Sequence, residues 1–205
     1  GDTTLRQIAV SHADKTMKYH YRENMSCPHV VDYEPETGAM RKYDWNNGSD
    51  NTTNSTWSRG QSWGLYGFTM MYRETGDRKY LRHAEKIADF LLSHPNMPED
   101  MIPYWDFDAP VEEQTYRDAS AAAIMASAFI ELSRYIPGTE AKESYLAMAE
   151  KQLRTLASKE YLAEPGTNEC FILKHSVGAL PDKSEVDVPL TYADYYFLEA
   201  LLRYK

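Results

Sequence analysis

The chain has only two cysteines, Cys27 and Cys170, among 205 residues. Two cysteines make no disulfide framework, and neither stands in a metal-ligand spacing such as C-x-x-C. A pair of buried thiols is the expectation, ahead of a single Cys27–Cys170 disulfide. Long apolar runs are missing too: no stretch approaches the ~20 residues that span a bilayer. Basic clusters are absent. Lys and Arg number 22 against 31 Asp and Glu, for a net charge of −9. That balance argues against a nucleic-acid partner, because neutralising phosphates requires a basic face. No secretion signal opens the chain. Gly1-Asp2 reads as an internal start, since an amphipathic helix begins almost at once.

What is present suits one domain or a large part of one: 42% of residues are hydrophobic and 13% aromatic. Apolar spacing predicts a helix from Leu5 to Arg22. His29 to Tyr33, a Pro-Glu-Thr-Gly turn and Ala39 to Trp45 read as a short β-hairpin. The polar stretch Asn46 to Thr56 reads as a loop. Helices follow over Ser58–Thr75, Arg78–Ser93, Thr115–Tyr135, Thr139–Ser158 and Tyr192–Tyr204, several closed by Gly or Pro. Residues Glu160 to Asp187 read as irregular.

The helices come in pairs. In each pair the first is rich in small and aromatic residues, with Gly60, Gly64 and Gly67 in one and Ala119 to Ala123 in the next. The second is charged and one-sided, as with Lys79, Arg82, Glu85 and Lys86. A helix that is apolar or small all round is buried, whereas a one-sided helix lies outside. The pairs recur at roughly 50–60 residues, in the range of helical-hairpin arrays. The expected fold is therefore all-α: a single partial domain, residues 1–205, forming about half of the hairpins of an (α/α)6 toroid, with the short hairpin near residues 29–45. In such a ring, sites sit where inner helices begin, because rigid walls hold the loops and helix N-termini offer unpaired N–H donors.

At the start of the first inner helix stands Trp57-Ser58-Arg59-Gly60-Gln61-Ser62-Trp63. Arg59 and Trp63 are four apart and share a helix face. Aromatic planes stack on the apolar faces of sugars, and an arginine fork pairs with a carboxylate. Together they suit an acidic sugar. The competing reading is an arginine buried against a structural aspartate, with both tryptophans in the core. Arg117-Asp118 at the next helix start reads as a cap plus a salt bridge. A glycosidase usually needs two carboxylates flanking the bond. Asp32, Asp50, Asp106, Asp108 and Asp118 are candidates, but no spacing singles out a pair.

The Trp57–Trp63 segment resembles glycoside hydrolase family 88, the unsaturated glucuronyl hydrolases. The resemblance extends through His29-Val30-Val31-Asp32-Tyr33, Pro103-Tyr104-Trp105-Asp106-Phe107, Arg117 to Ala123, and Val186 to Leu201. It implies an (α/α)6 toroid without metal or other cofactor. It also implies bacterial cytoplasm or periplasm, and an unsaturated oligosaccharide as the binding partner. Members act on lyase products that end in a 4,5-unsaturated uronic acid. One aspartate protonates the double bond and activates water, so hydration rather than displacement releases the sugar. By this resemblance His29, Trp57, Arg59 and Trp63 contact substrate. Asn47 falls near a polar loop position of the family, and His175 lies in the loop that sets preference for sulfated sugars. The Ser-x-x-Ser-x-Lys pattern of sulfate-accepting members is absent here, with Lys183 and Ser184 out of register.

The family's two aspartates have no counterpart in this chain, and Gly1-Asp2 matches a turn following the second. The reading is therefore a truncated member, inactive alone, whose exposed inner helices a missing N-terminal half or a second chain would cover. Two alternatives remain open. One is a family 105 enzyme, an unsaturated rhamnogalacturonyl hydrolase, in which the tryptophan motif recurs in looser form. The other is a non-catalytic carbohydrate-binding toroid fragment.

Overall fold

A computed structural model describes residues 2–44, 55–109 and 116–205. Helix α1 (Thr3–Tyr19) starts where the Asp2 carboxylate accepts the N–H groups of Thr4 and Leu5. It ends at Tyr19, a turn earlier than its apolar spacing suggests, because Arg22 and Ser26 close the chain into a turn. The hairpin β1 (Val30–Tyr33) and β2 (Met40–Asp44) is antiparallel, pairs Val31 with Tyr43, and carries an irregularity at Asp32/Tyr33.

Helices α2 (Ser58–Thr75) and α3 (Arg78–Ser93) have the expected bounds. Gly76, at φ 70°, ends α2 in the left-handed region, and Asp77 caps α3. Helix α4 (Ala119–Ser133) is buried along its whole length, because its small side chains let neighbours approach on every side. It packs against α2, α5 (Thr139–Leu156) and α6 (Thr191–Tyr204), while α2 also packs on α3. So α2, α4 and α6 form an inner layer with α3 and α5 behind it. This is the arrangement of a partial α/α toroid. Leu65, Ile87, Leu91, Phe129 and Leu156 form part of the core between the layers.

Three expectations need correction. Helix α4 begins at Ala119 rather than Thr115: Trp105 N–H donates to the Tyr116 carbonyl and Asp118 N–H to that of Pro103, so 116–118 run extended until Asp118 caps the helix. Residues 176–188 are ordered as an antiparallel hairpin, β3 (Ser176–Ala179) and β4 (Ser184–Val188), where irregular chain was expected. Its strands hold Gly178 and positive-φ Glu185 and Asp187, which blunt any alternating signal. Cys170 is exposed rather than buried, on a short turn at positive φ, whereas Cys27 is buried; both are free thiols.

The helix starts meet at one rim. Ser58 N–H donates to the Trp105 carbonyl, Phe107 N–H to that of Thr56, and Ala119 N–H to that of His175. These bonds stitch the segments before α2 and α4, the 103–107 loop and the lead into β3 into one frame. Among the described residues no helix is long and apolar enough to cross a membrane.

Candidate functional site

A cleft of about 480 Å³ opens beside this rim, between α1 and α2. Tyr21, His29, Trp57, Trp63 and Phe68 line it, with Gly60, Gly64 and Gly67 as its α2 wall. The glycines leave the room: a Cβ on Gly64 would fall 2.1 Å from the Tyr21 hydroxyl, and one on Gly60 2.9 Å from the Trp57 ring. A smaller recess of about 140 Å³ lies where His29 and Trp57 meet Trp105, Gly178 and Leu180.

The His29 and Trp57 rings stack, with centroids 5.2 Å apart and planes at 25°. Trp105 meets His29 edge-on at 5.9 Å. Behind His29 lies Asp106, fully buried, its Oδ2 3.4 Å from His29 Nε2. Burial pushes the Asp106 carboxyl up. Hydrogen bonds from His29, Ser55 and the backbone N–H groups of Thr56 and Asp108 outweigh that and hold it below its ordinary value. Burial also pushes the nearby Cys27 thiol up to about 12, which keeps it protonated.

Trp63 is half-buried and packs edge-on against Tyr196 at 5.0 Å, with Tyr192 at 6.5 Å. Arg59 stands between these groups, its guanidinium 4.7 Å from the Trp57 centroid and 5.3 Å from that of Tyr192. Its fork faces protein rather than the cleft. Nη1 donates to Asp118 Oδ2 at 2.8 Å, to Ser120 Oγ at 3.3 Å and to the Val177 carbonyl; Nη2 donates to the Gly178 carbonyl at 2.7 Å. Arg59 is 4% exposed and Asp118 fully buried. This is the geometry of the competing reading, an arginine riveted to a structural aspartate. Arg117 and Asp118 likewise form an ion pair with Asp100 and a helix cap.

The structure therefore brings together His29, Trp57 and Trp63, with Arg59 behind Trp57. It sets the His175 ring apart: Nδ1 lies 2.7 Å from Asp187 Oδ1, and the ring meets Tyr161 edge-on. Only the His175 carbonyl joins the rim. Asn47 and Asp50 lie outside the described residues. Sequence reasoning missed the pairing of Asp106 with His29, 77 residues away, and the placing of Tyr192 and Tyr21. No local signal marks contacts of that separation. Among the described residues no group of three or more His, Cys, Asp or Glu could hold a metal ion.

No protein-family model matches the chain. It is 45% identical over 203 residues to an unsaturated glucuronyl hydrolase of Formosa agariphila, covering 99% of this chain and 49% of that protein. Its fold superimposes on the crystal structure of an unsaturated glucuronyl hydrolase specific for heparin, with a TM-score of 0.88 and 50% identity, covering 95% of this chain and 51% of the other. It also matches a variant of the Streptococcus agalactiae enzyme complexed with dGlcA-GalNAc6S, with a TM-score of 0.84 and 32% identity over 100% of this chain and 54% of that one. The chain spans about half the length of the curated relatives it matches. Sequence and fold agree: over nearly its whole length the chain is similar to about half of an unsaturated glucuronyl hydrolase, the enzymes of glycoside hydrolase family 88.

Proposed function

We propose that this chain supplies the sugar-holding wall of an enzyme that releases a 4,5-unsaturated glucuronic acid from lyase-generated glycosaminoglycan oligosaccharides by hydrating its double bond. The observation that carries the reading is the His29–Trp57 stack beside the cleft, with Trp63 further along the same wall. Such a surface suits the flat ring of an unsaturated uronate, and a relative bound to dGlcA-GalNAc6S supports this class of ligand. Trp57, Trp63 and His29 are assigned to the sugar. Arg59 acts from behind, fixing the Trp57 plane. Asn47 and His175 are assigned to the substrate on the family resemblance alone.

Among the described residues, those lining the cleft include no carboxylic acid. The proton-donating aspartate is assigned to residues beyond these 205, which are taken as one partial toroid domain. The exposed apolar side chains of α1, Leu5 and Ile8, and of α6, Tyr195, Leu198 and Leu202, support cover by the rest of the domain or by a second chain.

The test is loss of the unsaturated-uronate absorbance on incubating the complete gene product with unsaturated disaccharides. One set derives from glycosaminoglycans and the other from rhamnogalacturonan. Turnover of the first set is expected. Turnover of the second set alone would make this a family 105 activity, and turnover of neither, with binding retained, would leave a carbohydrate-binding module.

A further inference from the structure

Asp106 is fully buried at the rim, and its two oxygens face different groups. Oδ1 accepts the backbone N–H of Thr56 at 3.1 Å and of Asp108 at 2.8 Å. Those bonds hold the 103–109 loop against the segment leading into α2. Oδ2 accepts the Ser55 hydroxyl at 2.6 Å and faces His29 Nε2 at 3.4 Å. A carboxylate can only accept, so the imidazole nitrogen facing it carries the proton. At 3.4 Å this is a long hydrogen bond, of the kind that tightens when a ligand fills a site. The Trp57 face and the Trp105 edge border the ring, and the Asp106 contact adds a polar partner at Nε2.

We propose that Asp106 is a positioning residue for the reaction: it fixes His29 as the Nε2–H tautomer and sets the orientation in which the ring lies on Trp57. This rests on the reading of His29 as a sugar contact. In the neutral ring the tautomer makes Nδ1 an acceptor, so His29 would take a hydrogen bond from a substrate hydroxyl rather than give one. Asp106 touches no substrate and acts through His29, as carboxylates behind metal-ligating histidines fix the tautomer and orientation of those rings.

The test is nitrogen-15 NMR of histidine-labelled protein, using the complete gene product with and without Asp106→Asn. The substitution keeps an acceptor at Oδ1 for Thr56 and Asp108 but places an NH2 donor opposite His29. The expected wild-type signal is the Nε2–H tautomer, and the variant should switch to Nδ1–H. A fall in kcat/KM on the order of 10- to 100-fold should accompany the switch. An Nδ1–H tautomer in the wild type, or one unchanged in the variant, overturns the proposal and leaves Asp106 as a loop staple. Should Asp106→Asn fail to fold, the wild-type tautomer decides alone. Ser55→Ala offers a second variant: it leaves a carboxylate facing His29 and should keep Nε2–H, and a switch there counts against the proposal. The tautomer is read without turnover, so failure of the proposed activity stays distinguishable from failure of this assignment.

Discussion

Arg59 on α2 and Asp118 at the cap of α4 join the first turns of two neighbouring inner helices. Nη1 lies 2.8 Å from Oδ2, and the side chains are 5% and 0% exposed. The same aspartate accepts the N–H groups of Ser120 and Ala121, so one carboxylate caps a helix and pairs a buried cation. The arginine in turn reaches the carbonyls of Val177 and Gly178 and pulls β3 onto the rim.

Removing one partner of such a buried pair strands the other. Asp118→Ala is expected to cost about 3–5 kcal/mol, read as a lower midpoint in urea unfolding. Arg59→Lys keeps the charge but not the fork, and is expected to cost about 1.5–3 kcal/mol for each charged hydrogen bond it loses. It should also reduce turnover of the complete gene product, because Trp57 loses the group that backs it. A variant with wild-type stability and turnover would contradict this role.

The α2 glycines separate by their surroundings. A Cβ at Gly64 collides with Tyr21, which is held between Phe68 and His83. Gly64→Ala should destabilise by about 1–3 kcal/mol and narrow the cleft. Gly67 has nothing within 4 Å of its would-be Cβ, so Gly67→Ala should stabilise by about 0.5–1 kcal/mol. Thermal unfolding of the two variants side by side would show opposite signs; equal shifts would refute the distinction.

His83 gives the fold an acid-sensitive point. Burial, with a smaller push from Lys86, lowers its pKa to about 4, and its Nε2 is buried without a hydrogen-bond partner. The unfolded chain takes up a proton near pH 6.5, whereas the folded one resists until about 4. Stability from this residue is therefore complete above 6.5 and falls as pH drops toward 4, by about 3 kcal/mol across the window. His20 and His94, also lowered by burial, act in the same direction. His83→Phe should flatten part of the pH–stability curve between those limits, and an unchanged slope would rule His83 out.

The thiols differ in reach. Cys170 is exposed, whereas Cys27 is buried and protonated. A thiol reagent should label Cys170 but not Cys27 in the native protein, mapped by peptide mass, and both after denaturation. Rapid native labelling of Cys27 would show that the α1–α2 cleft opens.

Local signals account for what was legible beforehand. Periodicity and the closing Gly or Pro place α2 and α3 at their observed bounds, because those cues act within a turn or two of the chain. The composition of Ala119–Ser133 marks a wholly buried inner helix, and the Trp57–Trp63 segment marks the rim. The sequence alone left Arg59 poised between a substrate carboxylate and a structural aspartate. Only the tertiary structure turns its fork toward Asp118 and the β3 carbonyls, since that choice depends on groups 59 and 118 residues away. The same holds for Asp106 behind His29 and for the β3–β4 hairpin, whose strands are held by pairing with each other rather than by an alternating pattern. Long-range contacts of this kind leave no periodic trace in a single sequence, because their energy is set by which segments the packed helices bring together.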